Sequence, residues 1–173
     1  MRAKFHLMKS PLLEILIPVN HEISDEVAFR SIESVAKSLN LPAIAGKRLL
    51  SVTMEMFQNL KNHSNRSRLS MLRIRNSKTG LLEIASMNYA DDNSFMRLSS
   101  KHDSLKKLEN RRESFVEKVS LKMQNLEKPG NLGLDICFKY AKSSKLQTVH
   151  SDNHQLNLIY LAFLLDINGK SHS

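Results

Sequence analysis

The chain has 173 residues, 41% apolar and 25% charged, the balance of one ordinary globular domain spanning residues 1–173. Twenty-six Lys and Arg against 17 Asp and Glu leave a net charge of +9, which points to an anionic partner. Its single cysteine, Cys137, excludes an internal disulfide and any zinc site built on two to four thiolates.

Residues 12–17 are short and apolar and read as a first strand. Ser24-Asp25-Glu26 then offers a helix start: a capping hydroxyl, followed by acids that suit the positive end of a helix dipole. Ala28, Ile32, Val35, Ala36 and Leu39 recur at helical spacing until Asn40-Leu41-Pro42 ends the run. A stronger helix spans about 45–63, with Leu49, Val52, Thr53, Met56, Phe57 and Leu60 on one face. Two strands, 68–75 and 81–89, flank the turn chemistry of Ser77-Lys78-Thr79-Gly80 and predict an antiparallel hairpin. Residues 90–100 are polar and read as a loop. From Leu105 to Leu126 apolar residues return at helical spacing, giving one long helix or two with a bend. Pro129, Gly130 and Gly133 break it. A short helix from Leu134 to about Ser143 and two strands, 146–151 and 155–166, complete the pattern.

Helices and hairpins segregate instead of alternating. That predicts a two-layer α+β sandwich, helices on one face of a mixed, mostly antiparallel sheet, with 158–165 as an interior strand. The apolar run at 158–165 falls short of the roughly 18 residues a membrane helix needs. The basic N-terminal stretch lacks an uninterrupted apolar segment, so the expected setting is a reducing cytoplasm without membrane attachment.

Lys61, Arg66, Arg68, Arg73, Arg75 and Lys78 lie in a stretch without a single acid. Such a patch fits a nucleic-acid binder, but this one offers no aromatic on which bases could stack. It reads as a solvated basic strand face, and nucleic acid ranks last among the expected partners.

Two segments carry candidate chemistry. Glu55, Asn59 and His63 recur every four residues, on one stripe of the second helix. A carboxylate, a carboxamide and an imidazole in line suit a hydrated magnesium ion shared with phosphates; the same stripe is also the polar side of an amphipathic helix. Gly130-Asn131-Leu132-Gly133 opens the short helix, where backbone N–H groups and the helix dipole favour a phosphate; glycine after Pro129 also serves simply to turn the chain. Cys137, among Leu134, Ile136, Phe138 and Ala141, reads as a packed small residue.

Taken together, these segments resemble the GHKL (Bergerat-fold) ATPase and kinase superfamily, and most closely the SiaB family of bacterial protein kinases, over about residues 12–166. Glu55-x-x-Gln58-Asn59-x-x-x-His63-Ser64 resembles that family's helix motif. Met87-Asn88 resembles its strand-end Gly-Asn, and Pro129-Gly130-Asn131-Leu132-Gly133-Leu134-Asp135-Ile136 its glycine-rich stretch. The resemblance implies ATP and magnesium as cofactors. Asn59 would ligate the metal and Glu55 would act as general base or its orienter. Asn62, His63, Asn88, Gly130 and Gly133 would line the nucleotide. The implied reaction phosphorylates a serine or threonine on a small regulatory protein, and homodimerisation stays open. The superfamily's adenine-reading Asp-x-Gly-x-Gly box is absent: Asp91 and Asp92 stand near its place without glycines. This departure supports a second reading, an interaction module that keeps the fold without turnover.

Overall fold

The structure, a computed structural model, describes residues 13–20, 22–63, 68–76, 80–109, 133–151 and 156–166. In chain order these form β1 (Leu13–Val19), α1 (Asp25–Ser38), α2 (Ala43–His63), β2 (Ser70–Asn76), β3 (Leu81–Ala90), α3 (Asp92–Glu109), α4 (Gly133–Tyr140), β4 (Ser143–Ser151) and β5 (Leu156–Asp166). The strands make one five-stranded sheet in the order β1-β2-β3-β5-β4. Every neighbouring pair is antiparallel, so the sheet is not mixed as expected. β5 is interior, between β3 and β4, and carries the apolar run that predicted this.

Local chemistry explains the elements. Ser24 caps α1 through its hydroxyl, which accepts from the Val27 N–H at 3.2 Å, with Asp25 and Glu26 in the first turn. Asn40 ends α1 in the left-handed region (φ 49°), and the Asn40 and Leu41 N–H groups donate back to the Lys37 and Ala36 carbonyls. Gly80 takes a positive φ of 73° where the chain enters β3, a conformation glycine adopts without penalty; the rest of the expected turn, residues 77–79, lies outside the described residues.

The register sorts the sheet into two faces, because side chains alternate along a strand and paired residues share a side. Leu72 and Ile74 of β2, Leu82 and Ile84 of β3, and Leu161, Phe163 and Leu165 of β5 fall on one face and are all buried. The apolar face of α2 (Leu49, Val52, Met56, Phe57, Leu60) joins them in a single core. α1 packs on α2 with Ala28, Ile32 and Val35 buried. α4 reaches the sheet through Phe138, whose ring meets Phe163 edge-on at 5.4 Å. Among the described residues four helices thus cover one face of the sheet, the two-layer arrangement expected.

The opposite face is built differently. Ala85 and Ala162, fully buried and paired across β3 and β5, leave room above them. There Arg73 donates to Glu83 at 2.6 Å and to the Tyr160 hydroxyl at 2.8 Å. Much of the basic run is therefore engaged: Arg73 here, Lys61 with Asp25 at 2.9 Å, and Arg68 stacked over the Tyr89 ring. Arg66 and Lys78 lie outside the described residues.

Two boundaries differ from the expectations. Residues 92–100, read as a loop, are the first half of α3. The polar sequence hides a cap: Asp91 Oδ1 accepts from the Ser94 N–H at 2.7 Å, a bond that also holds its carboxyl below the usual range. β4 starts at Ser143, where the helix was expected to end, because Lys142 N–H pairs with the Leu164 carbonyl and draws the chain onto β5. The expected helix beyond residue 109 lies outside the described residues.

Removing the fully buried ring in Phe57→Ala should cost about 3–5 kcal/mol, measured by urea unfolding. His102, buried on α3, lies 3.2 Å from Ser144 Oγ through Nε2 and meets the Phe138 ring edge-on. Burial lowers its pKa below the ordinary 6.5, so folding favours the neutral ring. Its stabilisation is complete above pH 6.5 and is lost as the pH falls through the depressed value. In His102→Asn that acid-side loss should disappear from the pH dependence of thermal unfolding.

Candidate functional site

α2 exposes a polar ridge because Leu49, Val52, Met56, Phe57 and Leu60 turn to the core. Glu55 and Asn59 stand on that ridge one turn apart, both half-buried. α4 packs against α2 and begins at Gly133, and the two segments meet there. A Cβ at Gly133 would collide with Glu55 Oε2 and lie 3.6 Å from Asn59 Nδ2. The absence of a side chain is what lets the carboxylate rest against the helix start. A methyl there would have to push the end of the Glu55 side chain aside.

Two further charged groups join them. Asp135, two residues into α4, is 4% exposed. Its Oδ2 lies 3.5 Å from Lys101 Nζ of α3. Lys101 also acts on Glu55. Burial raises the Glu55 pKa above the ordinary carboxylate value, and the Lys101 charge pulls it part of the way back. The junction of α2, α3 and α4 therefore holds two carboxylates, a carboxamide and an ammonium. Cys137 lies one turn further along α4, fully buried, with Sγ 3.9 Å from the Val52 carbonyl. Burial and the Glu55 charge push its thiol far up, which excludes a thiolate nucleophile.

Other expected residues stand elsewhere. Asn62 and His63 are exposed on the last turn of α2. Asn88 sits half-buried on β3, paired with Ile159 on the helix-covered side of the sheet. Gly130 lies outside the described residues. Asp91 and Asp92 do structural work: Asp91 caps α3, and Asp92 Oδ1 accepts from Asn157 Nδ2 of β5 at 2.6 Å.

Lys101 and Asp135 received no role from the sequence. A lone acid in the run Leu134-Asp135-Ile136-Cys137-Phe138 was the available signal for Asp135. Lys101 followed a stretch read as loop, so its helical face could not be assigned. Among the described residues no three His, Cys, Asp or Glu side chains are grouped to hold a metal. The donors do fit magnesium bound mainly through phosphates: one or two protein oxygens suffice for that hard, strongly hydrated cation, and Glu55 and Asn59 offer them.

No family model matches the sequence, and no curated protein matches it. Among solved structures, a chain of the SiaB-SiaC complex from Pseudomonas aeruginosa has a similar fold. The TM-score is 0.70, with 13% identity over 90% of this chain and 91% of that one. At that identity the likeness is one of fold, an α+β architecture shared over nearly the whole length of both. Among the described residues no helix is long and apolar enough to cross a membrane.

The pKa of Glu55 gives a direct check on this junction. Because burial raises it, the folded state holds the proton more tightly than the unfolded chain, and Glu55 opposes folding as the pH climbs through the raised value. Lys101→Met should move the midpoint of Glu55 still higher in a carboxyl-carbon NMR titration. An unchanged midpoint would show that Lys101 does not act on the carboxylate.

Proposed function

We propose that this chain is a GHKL-type signalling protein of the SiaB kind: an ATP-dependent kinase that phosphorylates a serine or threonine of a small regulatory protein. The observation that carries this reading is the meeting of Glu55, Asn59 and Gly133 at one junction. Those three residues come from segments nearly 80 positions apart, and the resemblance assigned all three to one site. The shared fold with a chain of a two-protein complex supports it further.

In this reading Asn59 holds magnesium, which when bound supplies charge neutralisation on the phosphates. Glu55, with its pKa raised by burial, accepts the proton of the acceptor hydroxyl; a base nearer neutrality transfers protons more effectively. The start of α4, free of a side chain at Gly133, offers backbone N–H groups and the positive end of its dipole to a phosphate. Lys101 compensates the carboxylates on the same side.

One observation favours the second reading, a partner-binding module without turnover. Both aspartates near the place of the adenine-reading box are spent on a helix cap and a strand contact.

Millimolar ATP with magnesium should raise the unfolding temperature of the wild type, and the rise should vanish in Asn59→Ala. At 100 times the dissociation constant the stabilisation is about 2.7 kcal/mol. Absence of any shift in the wild type would overturn the kinase reading; a shift without phosphate transfer to any protein would favour the module.

A further inference from the structure

The two edges of the sheet are built differently. β1, at one edge, carries Glu14 and Pro18, and a proline has no N–H to offer a further strand. β4, at the other, is nine residues long and contains neither proline nor glycine. β5 pairs with it along its whole length, and among the described residues no strand lies beyond it. On that outer side alternate residues direct their backbone N–H and C=O groups away from β5. The middle of the strand stands in water: Gln147, Thr148 and Val149 are exposed, Val149 to 65%.

We propose that the β4 edge joins two copies of this chain: β4 of a second copy pairs with it antiparallel, about a two-fold axis at Gln147, and the two sheets become one of ten strands. Symmetry is the first argument. Antiparallel pairing of two identical strands maps each onto the other, so the edge is complementary to its own copy without further matching. Register is the second. Centred on Gln147, the midpoint of Ser143–Ser151, the pairing engages all nine residues of each strand. It sets Leu146 opposite Thr148 and Lys145 opposite Val149, so the exposed valine is covered by the aliphatic stem of a lysine. Charge is the third argument, and it selects the occupant. Copies of a chain with net charge +9 repel one another over most approaches, but β4 carries a single full charge, Lys145. In this register the two Lys145 side chains stand about 14 Å apart along the strands, beyond the Debye length of about 8 Å. An acidic partner is drawn instead to surfaces that carry more of the chain's positive charge.

The test is sedimentation of the full-length protein over a range of concentrations, with substitutions at the exposed Val149. The wild type is expected to show a concentration-dependent monomer–dimer equilibrium. Val149→Lys sets the introduced ammonium against Lys145 of the other copy, and Val149→Glu sets a carboxylate there. Each change counts twice across the two-fold, so the dimer should weaken about tenfold in the first and tighten about tenfold in the second. Loss of an unspecific apolar contact would weaken both alike. Gln147→Cys brings two thiols together at the axis, where paired Cα atoms lie about 4.5–5.5 Å apart, within disulfide reach. Mild oxidation should give a covalent dimer, and Glu22→Cys, exposed ahead of α1, should not; Cys137 is buried and does not compete. A wild type that stays monomeric at its highest soluble concentration, whatever else its edge pairs with, overturns the proposal. So does a dimer that Val149→Lys and Val149→Glu change in the same direction, or one that Gln147→Cys does not lock. None of these outcomes depends on whether the chain binds ATP.

Discussion

The contact between Glu55 and the start of α4 is the constraint on which the candidate site depends. A carboxylate on a helix ridge ordinarily points into water and does nothing in particular. Here it is drawn against a second helix at the one residue without a side chain, and the approach is close enough that no larger residue fits unless Glu55 yields. Burial then alters its protonation, Asn59 is brought alongside, and Lys101 and Asp135 share the same junction. The approach of Glu55 and Asn59 follows from the packing of α4 on α2, and that of Lys101 from α3 beside α4; Leu134 and Phe138 of α4 and Val52 and Met56 of α2 belong to the one core behind them.

The two faces of the sheet solve different problems. Toward the helices, Leu, Ile and Phe fill the space between layers, and the drive is removal of apolar surface from water. On the other side, two alanines make a floor for Arg73, Glu83 and Tyr160. An ion pair half-withdrawn from water is favourable only with additional hydrogen bonds, and the tyrosine hydroxyl supplies one. That arrangement explains why Arg73, in the middle of a run of basic residues, is engaged and not free. Arg73 is committed across three strands, with Glu14 of β1 at 3.8 Å as a further partner.

The sequence was most legible where a single period ran unbroken. α2 and the interior strand β5 were visible from their apolar spacing, and the α+β architecture followed from the segregation of helices and hairpins. Legibility failed where polar residues carry structure through capping and pairing. Asp91 starts α3 inside a stretch with no apolar rhythm, and Ser143-Ser144-Lys145 enters β4 because β5 is beside it, a non-local cause. Glu55 and Asn59 were named from a helical stripe and Gly133 from a glycine-opened helix, the resemblance joined them, and their proximity is a tertiary fact that spacing alone could not supply. Lys101 and Asp135 escaped for the same reason: a pair 34 residues apart is recognisable only once two helices are known to cross.

The sheet order carries a consequence for how the chain reaches this structure. β3 pairs with β2 on one side, across a short turn, but its other edge is completed by β5, which begins 66 residues after β3 ends. Until β5 arrives, β3 presents an open row of backbone groups flanked by Leu82, Ile84 and Ala85, the kind of edge that invites pairing with another molecule. Assembly is therefore gated by a slow, long-range closure, and the interval before it is when the nascent protein is most in need of a chaperone.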